Sequence, residues 1–386
     1  MGRLNLTILD NDVRYMENLS SFILENYNHR FNLNSFSDTD AFIKHLEGTA
    51  PAPDIVAVSR DNYSSKLKGL DIGMILVICD GFAGDGYDGL GALERYTDAD
   101  TFIGGILKHY ANKADSQQSE FISKGLYDTK IILVASPSGG SGKTSVSIGL
   151  CSLFSRMTPS VLYFSLDRTR IDNIVENNPQ LSGLNPSSRS GGMSDIILAI
   201  KSRREKLPLL LEALKTDFGG YNFSCYNPPI FPMDLDEMNP SEIELLIESI
   251  RNLGTFSRVV IDTHSGFSVI NKVIMELSDS IFFVMNDNPS EVKKLYTLKE
   301  QMDRVYSERA QFIYKRICVL LNEVTPCKFG KFSNEQKSLI SEQSFGSRII
   351  SLPYCEKISG AYSVDLLSDV RYGFASALAE VVQVCQ

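Results

Sequence analysis

Basic residues are the minority charge in this chain: 38 Lys and Arg stand against 47 Asp and Glu, a formal net charge of −9. A general nucleic-acid binder neutralises phosphates with clustered Lys and Arg, so this balance argues against that class and for protein or nucleotide partners. Cysteine is sparse and unpatterned. The seven cysteines are odd in number, scattered, and contain no Cys-x-x-Cys pair, so neither a disulfide framework nor a zinc site is suggested, and they read as reduced, mostly core thiols in a cytosolic protein. A basic region followed by an apolar secretion signal is missing, and no uncharged apolar run reaches the ~18 residues of a membrane span, so any membrane role is expected to be peripheral. Internal repeats and low-complexity tracts are absent as well.

What is present is a large apolar fraction, 43% of 386 residues, enough for two or three domains at roughly 150 residues each. The first stretch alternates apolar runs with helical patterns: LNLTIL at 4–9, a helix carrying Met16, Leu19, Phe22 and Ile23, then FNLNSF. Ser37 or Asp38 is expected to cap a second helix carrying Ala41, Phe42 and Leu46. IVAV at 55–58, MILVIC at 74–79 and a closing helix at 99–111 complete the unit. Alternating strands and helices imply a parallel sheet. The polar stretch 112–125 lacks periodicity and reads as a linker. Beyond it come seven further apolar runs, IILVA, VLYFSLD, YNFSC, RVVIDTH, IFFVM, ICVLLN and IISLP, with helices between them, one begun by Asn239-Pro240. This indicates a doubly wound, mostly parallel α/β sheet covered on both faces. The expected division is a domain at 1–112, a linker at 113–126 and a second domain at 127–386.

The stretch ASPSGGSGKTS, 135–145, directly follows the apolar run 131–134 and precedes a helix bearing Val146, Leu150 and Leu153. Such a strand–loop–helix turn cradles phosphate with inward backbone amides and the positive end of the helix. Ser138, Gly139, Gly140, Ser141 and Gly142 form the loop, Lys143 supplies a cation for the outer phosphates, Thr144 offers a hydroxyl to Mg²⁺, and Ser145 follows it. The loop departs from Gly-x-x-x-x-Gly-Lys-[Ser/Thr] at Pro137, where a glycine is usual. Two carboxylates end apolar runs downstream. Asp167 is placed to orient a water, and Asp262 to hold Mg²⁺ through water. Carboxylates at the C-terminal ends of central strands face the crevice where open α/β sheets bind ligands.

These residues resemble the ParA/MinD group of P-loop ATPases. Ser138-Gly139-Gly140-Ser141-Gly142-Lys143-Thr144 is similar to that group's deviant loop, Phe164-Ser165-Leu166-Asp167 to its Asp-x-Asp strand, and Asp262-Thr263-His264-Ser265-Gly266 to its Asp-[Thr/Ser]-Pro-x-Gly segment. The resemblance implies ATP and Mg²⁺ as cofactors, a homodimer, Asn322 against adenine and Pro353 beside the base; either of the last two also reads as a strand-end turn residue. In the group, the first loop lysine reaches into the partner's nucleotide. Here Ser138 stands in that place, and since such cationic fingers contribute about 10³ to 10⁵ in rate, hydrolysis is expected to be slow or absent while binding is kept. Ser165 for an aspartate and His264 for a proline point the same way.

The first domain resembles a response-regulator receiver with its chemistry erased. Asp10 and Asp12 keep part of the acidic cluster, but the phospho-acceptor position holds Ser59, the fourth-strand position Cys79 and the lysine position Arg95. Only 20 positions separate Ser59 from Cys79, too few for a full third helix. A receiver-like domain joined to a ParA/MinD-type domain resembles the TadZ/CpaE-like proteins of tight-adherence pilus assembly. That likeness implies a factor, cytoplasmic or held at a pole through partners, which recruits secretion and assembly proteins through its first domain. Two alternatives stay open: a positioning ATPase acting on DNA or membrane, and a constitutive scaffold. KSRREK at 201–206, with Arg203 and Arg204, is the best DNA candidate, though a charge run on a helix is usually a solvated face. The tail after Arg371 has no Lys or Arg, which argues against a basic membrane helix, and a single tyrosine, which argues against a tyrosine-kinase cluster. His29, His45 and His109 lack metal-ligand spacing.

Overall fold

A computed structural model describes residues 3–28, 30–47, 51–81, 87–113, 127–158, 160–166, 192–202, 207–218, 221–229, 231–286, 288, 290–323, 338, 340, 345, 348–356 and 364–384. They form two compact units.

The first unit comprises the described parts of Met1–Leu126 and of Ser202–Lys215. Its sheet holds β1 (Leu4–Leu9), β2 (Phe31–Phe36), β3 (Ile55–Ser59), β4 (Met74–Cys79) and β5 (Gly91–Glu94) in the order β2-β1-β3-β4-β5. Every pairing is parallel, and the order is that of flavodoxin-like sheets. All five residues of β3 are buried, because successive side chains enter opposite cores: Ile55 and Ala57 join one apolar cluster, Val56 and Val58 the other. Helix α1 (Val13–Asn26) lays Met16, Leu19 and Ile23 on the first cluster and is capped by Asp12, which accepts from the Tyr15 amide. Asp38, of the two expected candidates, caps α2 (Thr39–Leu46) by accepting from the Ala41 amide. Between β3 and β4 there is a single 3-10 turn, Ser65–Gly69. Helix α3 spans Ala99–Lys113. Strand β5 was not among the expected runs; of GALE only Leu93 is buried, and the segment becomes a strand through its register with Leu76–Cys79.

The second unit comprises the described parts of Tyr127–Lys201 and Thr216–Gln386. Its strands are β6 (Lys130–Ala135), β7 (Val161–Leu166), β8 (Lys215–Phe218), β9 (Tyr221–Tyr226), β10 (Arg258–Thr263), β11 (Ser280–Asn286), β12 (Ile317–Asn322) and β13 (Arg348–Leu352). They lie in the order β13-β12-β11-β6-β10-β7-β9-β8, with parallel pairing from β13 through β9. The seven expected runs are all strands, and β8, polar at three of its four positions, is an eighth. Helices α4 (Lys143–Phe154) and α5 (Met193–Ser202) precede α6 (Leu207–Ala213), and α7 (Pro240–Leu253), α8 (Val269–Leu277), α9 (Ser290–Tyr306), α10 (Ala310–Tyr314), α11 (Val364–Ser368) and α12 (Gly373–Val384) follow. Helix α7 starts as its sequence suggests: Asn239 caps it, Pro240 opens it, and Glu242 returns a bond to the Asn239 amide. One core runs through Ile132, Val134, Val146, Leu150, Val260, Phe282 and Leu320. Among the described residues no helix is long and apolar enough to cross a membrane, and Cys151, Cys225 and Cys318 are buried.

Helix α6 follows α5 in the chain yet packs in the first unit, whereas a division at 112–127 places it in the second. Leu209 joins the cluster of Leu6, Ile8 and Ile106. Glycine at 104 lets α3 close on α6, since a Cβ there would meet the Ala213 carbonyl oxygen at 2.6 Å. Arg30 and Glu212, 4% and 2% exposed, pair at 2.7 Å.

Candidate functional site

Parallel strands end together, so the residues just past β6, β10 and β12 collect at one edge of the second sheet. The loop 136–142 leaves β6 there and enters α4 at Lys143. Its backbone requires glycine at two points: Gly140 has φ +73° and Gly142 φ +91°. At 142 any Cβ would also run into the Asn322 amide. Gly139 and Gly140 are exposed, and a Cβ built on either meets nothing within 4 Å, so open space lies over the mouth of the loop.

The side chains of the loop are held from several directions. Lys143 Nζ donates to Ser265 Oγ at 2.7 Å. Thr144 Oγ1 donates to Asp262 Oδ2 at 2.8 Å, and the Tyr163 hydroxyl donates to the same oxygen at 3.0 Å. Asp262 is 1% exposed. Burial, then the neighbouring Asp262 carboxylate, pushes the Tyr163 phenol well above its usual range. Asn322 Nδ2 donates to the Ser141 carbonyl at 2.9 Å, tying the end of β12 to the loop. Ser138 donates through Oγ to Glu291 Oε1 at 2.5 Å. The segment after Asp262 is braced from behind: Asn271 Nδ2 donates to the carbonyls of His264 and Gly266, and the Gly266 amide donates to the Ser136 carbonyl at 2.9 Å.

Ser138, Ser141, Lys143 and Thr144 are thus each hydrogen-bonded to a residue of another part of the chain, Glu291, Asn322, Ser265 and Asp262 in turn, with Gly142 against Asn322 and Ser145 in the first turn of α4. Pro353, just beyond β13, packs on Gly373, where a Cβ would lie 3.0 Å from its ring. Asp167 falls outside the described residues, as do Arg203, Arg204 and His29. Three residues of the site escaped the reading of roles from sequence: Tyr163, Ser265 and Glu291. Ser265 lies inside the quoted Asp262–Gly266 segment, so its place was signalled; Tyr163 and Glu291 carried no local signal.

In the first unit, Arg95 Nη2 bonds Asp10 Oδ2 at 2.7 Å, Arg95 Nε lies 2.8 Å from Asp80 Oδ1, and the guanidinium covers the Tyr15 ring at 5.2 Å. Burial raises the Asp10 carboxyl against the opposing pull of the Asp12 amide and Arg95. Ser59, 2% exposed, ends β3 with its hydroxyl in no hydrogen bond among the described residues.

Comparison with known proteins matches residues 132–367 to the CobQ/CobB/MinD/ParA nucleotide binding domain. Among solved structures, an ATP complex of a McdA variant from Cyanothece is 17% identical, with TM-score 0.53, over 67% of this chain and 96% of that one. A plasmid partition protein from Borrelia burgdorferi B31 bound to AMPPNP is 17% identical, with TM-score 0.50, over 67% and 98%. At these identities the likeness concerns the fold. No curated protein matches the chain.

Proposed function

Because this chain belongs to the CobQ/CobB/MinD/ParA nucleotide-binding domain family, we propose that it binds ATP with Mg²⁺ and uses it as a dimerisation switch with little hydrolysis. The observation that carries this reading is the convergence of Lys143, Thr144 and Asp262 beneath the open mouth of the loop, with a serine at 138. The donor set fits a nucleotide: backbone amides and Lys143 for the phosphates, Thr144 with Asp262 behind it for Mg²⁺. When bound, Mg²⁺ supplies charge neutralisation between the outer phosphates. Lys143 is already held at the loop by the Ser265 hydroxyl. Ser138, bonded to Glu291, brings no positive charge to a partner's nucleotide.

The biological role we propose is a localisation and recruitment factor for tight-adherence pilus assembly, with the first unit as its partner-binding module. Two features of that unit support a receiver ancestry with lost phosphorylation: the β2-β1-β3-β4-β5 order, and a serine at the end of β3 in a unit whose Asp10 is paired with Arg95. A second reading, a positioning ATPase acting on DNA or membrane, draws on the fold shared with a plasmid partition protein.

Light scattering with and without Mg-ATP, with phosphate release measured in parallel, tests the switch. The expected result is a nucleotide-dependent dimer that disappears in Lys143→Ala, with turnover near background. Dimers indifferent to nucleotide and to Lys143 support a constitutive scaffold instead. Retention of DNA at moderate salt, lost on changing Arg203 and Arg204, supports the positioning reading.

A further inference from the structure

Position 138 lacks the lysine, but a lysine stands beside it in space. Glu291, in the first turn of α9, is 1% exposed, and its Oε1 accepts both from Ser138 Oγ at 2.5 Å and from Lys294 Nζ at 2.9 Å. Its second oxygen, Oε2, is buried and in no hydrogen bond among the described residues. Lys294 is 47% exposed. Together with Lys293 it lines a cavity of about 500 Å³ whose wall also includes Pro137 of the loop and Gly266. Gly266 follows Ser265, the residue that holds Lys143. The cavity therefore opens directly beside the phosphate cradle, and two lysines line it.

We propose that Lys294 is the cation that reads the terminal phosphate of the nucleotide held by its own chain. The proposal rests on the nucleotide reading above and deepens it: the site would distinguish a triphosphate from a diphosphate. A buried carboxylate requires a positive partner, and Lys294 serves Glu291 while no phosphate is near. A lysine is a point charge on a flexible four-carbon stem, so it can take on a second partner by rotating side-chain bonds while α9 stays in place. A third phosphate at the mouth of the cradle, next to Pro137 and Gly266, brings a denser negative charge than one carboxylate. Lys294, whose ammonium carries three donors, turns one of them to it while still pairing with Glu291. A diphosphate ends short of that point and leaves the Lys294–Glu291 pair as it is. Charge absent from the loop sequence is thus restored through α9, within one subunit.

Calorimetric titration of the full chain with Mg-AMPPNP and with Mg-ADP tests this. In wild type both are expected to bind, the triphosphate analogue more tightly. Lys294→Ala is expected to weaken Mg-AMPPNP by about tenfold or more, the scale of one charge-assisted hydrogen bond, and to change Mg-ADP less than about twofold. Lys294→Arg, which keeps the charge, is expected to retain most of the preference. Equal loss for both ligands in Lys294→Ala, or no loss for either, overturns the assignment while leaving the nucleotide site standing. Wild-type protein that binds neither ligand overturns the site itself, and this proposal with it.

Discussion

Arg30 and Glu212 form an ion pair at 2.7 Å in which both side chains are almost completely shielded from water. Glu212 reaches this place on α6, a helix that enters the first unit from far along the chain. Removing one member of a buried pair strands the other, at a cost of about 3–5 kcal/mol. Glu212→Ala in the full chain is therefore expected to lower the unfolding midpoint of the first unit clearly. The joint change Arg30→Met with Glu212→Leu is expected to recover most of the loss, and urea titrations of both variants check this.

Gly142 combines φ +91° with the Asn322 amide where a Cβ would stand. Gly142→Ala is expected to cost about 1–3 kcal/mol through backbone strain alone, and to break the Asn322 bond to the Ser141 carbonyl. Nucleotide affinity and thermal stability, measured on one preparation, should fall together.

Tyr163 and Thr144 each donate a hydroxyl to Asp262. Tyr163→Phe keeps the edge contact with Phe218 at 5.7 Å and removes the hydroxyl, which also bonds the Ser165 side chain. A destabilisation of about 1–3 kcal/mol is expected for withdrawing a bond from a buried charged group. A denaturant midpoint unchanged from wild type would refute the pairing.

Burial pushes the His109 imidazole below its usual 6.5, with the Ala92 backbone opposing and Lys108 adding to the shift. The unfolded chain then takes up the proton before the folded one does. This contribution to stability is intact above about pH 6.5 and is lost as pH falls from there toward the folded value. His109→Gln is expected to flatten that acid limb in unfolding curves collected between about pH 5 and 8.

Much of both sheets was legible because period and burial agree: IVAVS, MILVIC and ICVLLN are strands on apolar content alone. GALE and KTDF were not, since each is four residues long and owes its strand geometry to a neighbour already in place. The loop at 136–144 was legible for the opposite reason. Its function depends on backbone conformation over a few consecutive residues, which Gly140 and Gly142 encode locally. Asn322 was visible as a strand-end residue, but its bond to the Ser141 carbonyl depends on β12 and β6 ending at the same edge.

By itself the sequence determined that this protein has two parallel-sheet units and a glycine loop able to grip phosphate, because side-chain periodicity and tight-turn stereochemistry are properties of short stretches. Only the tertiary structure decided that Ser265 meets Lys143, that Tyr163 leans on Asp262, that Glu291 and Lys294 stand behind Ser138, and that α6 completes the first core. Partners such as Ser138 and Glu291, 153 positions apart, are brought together by the packing of whole elements, and no local pattern carries that information.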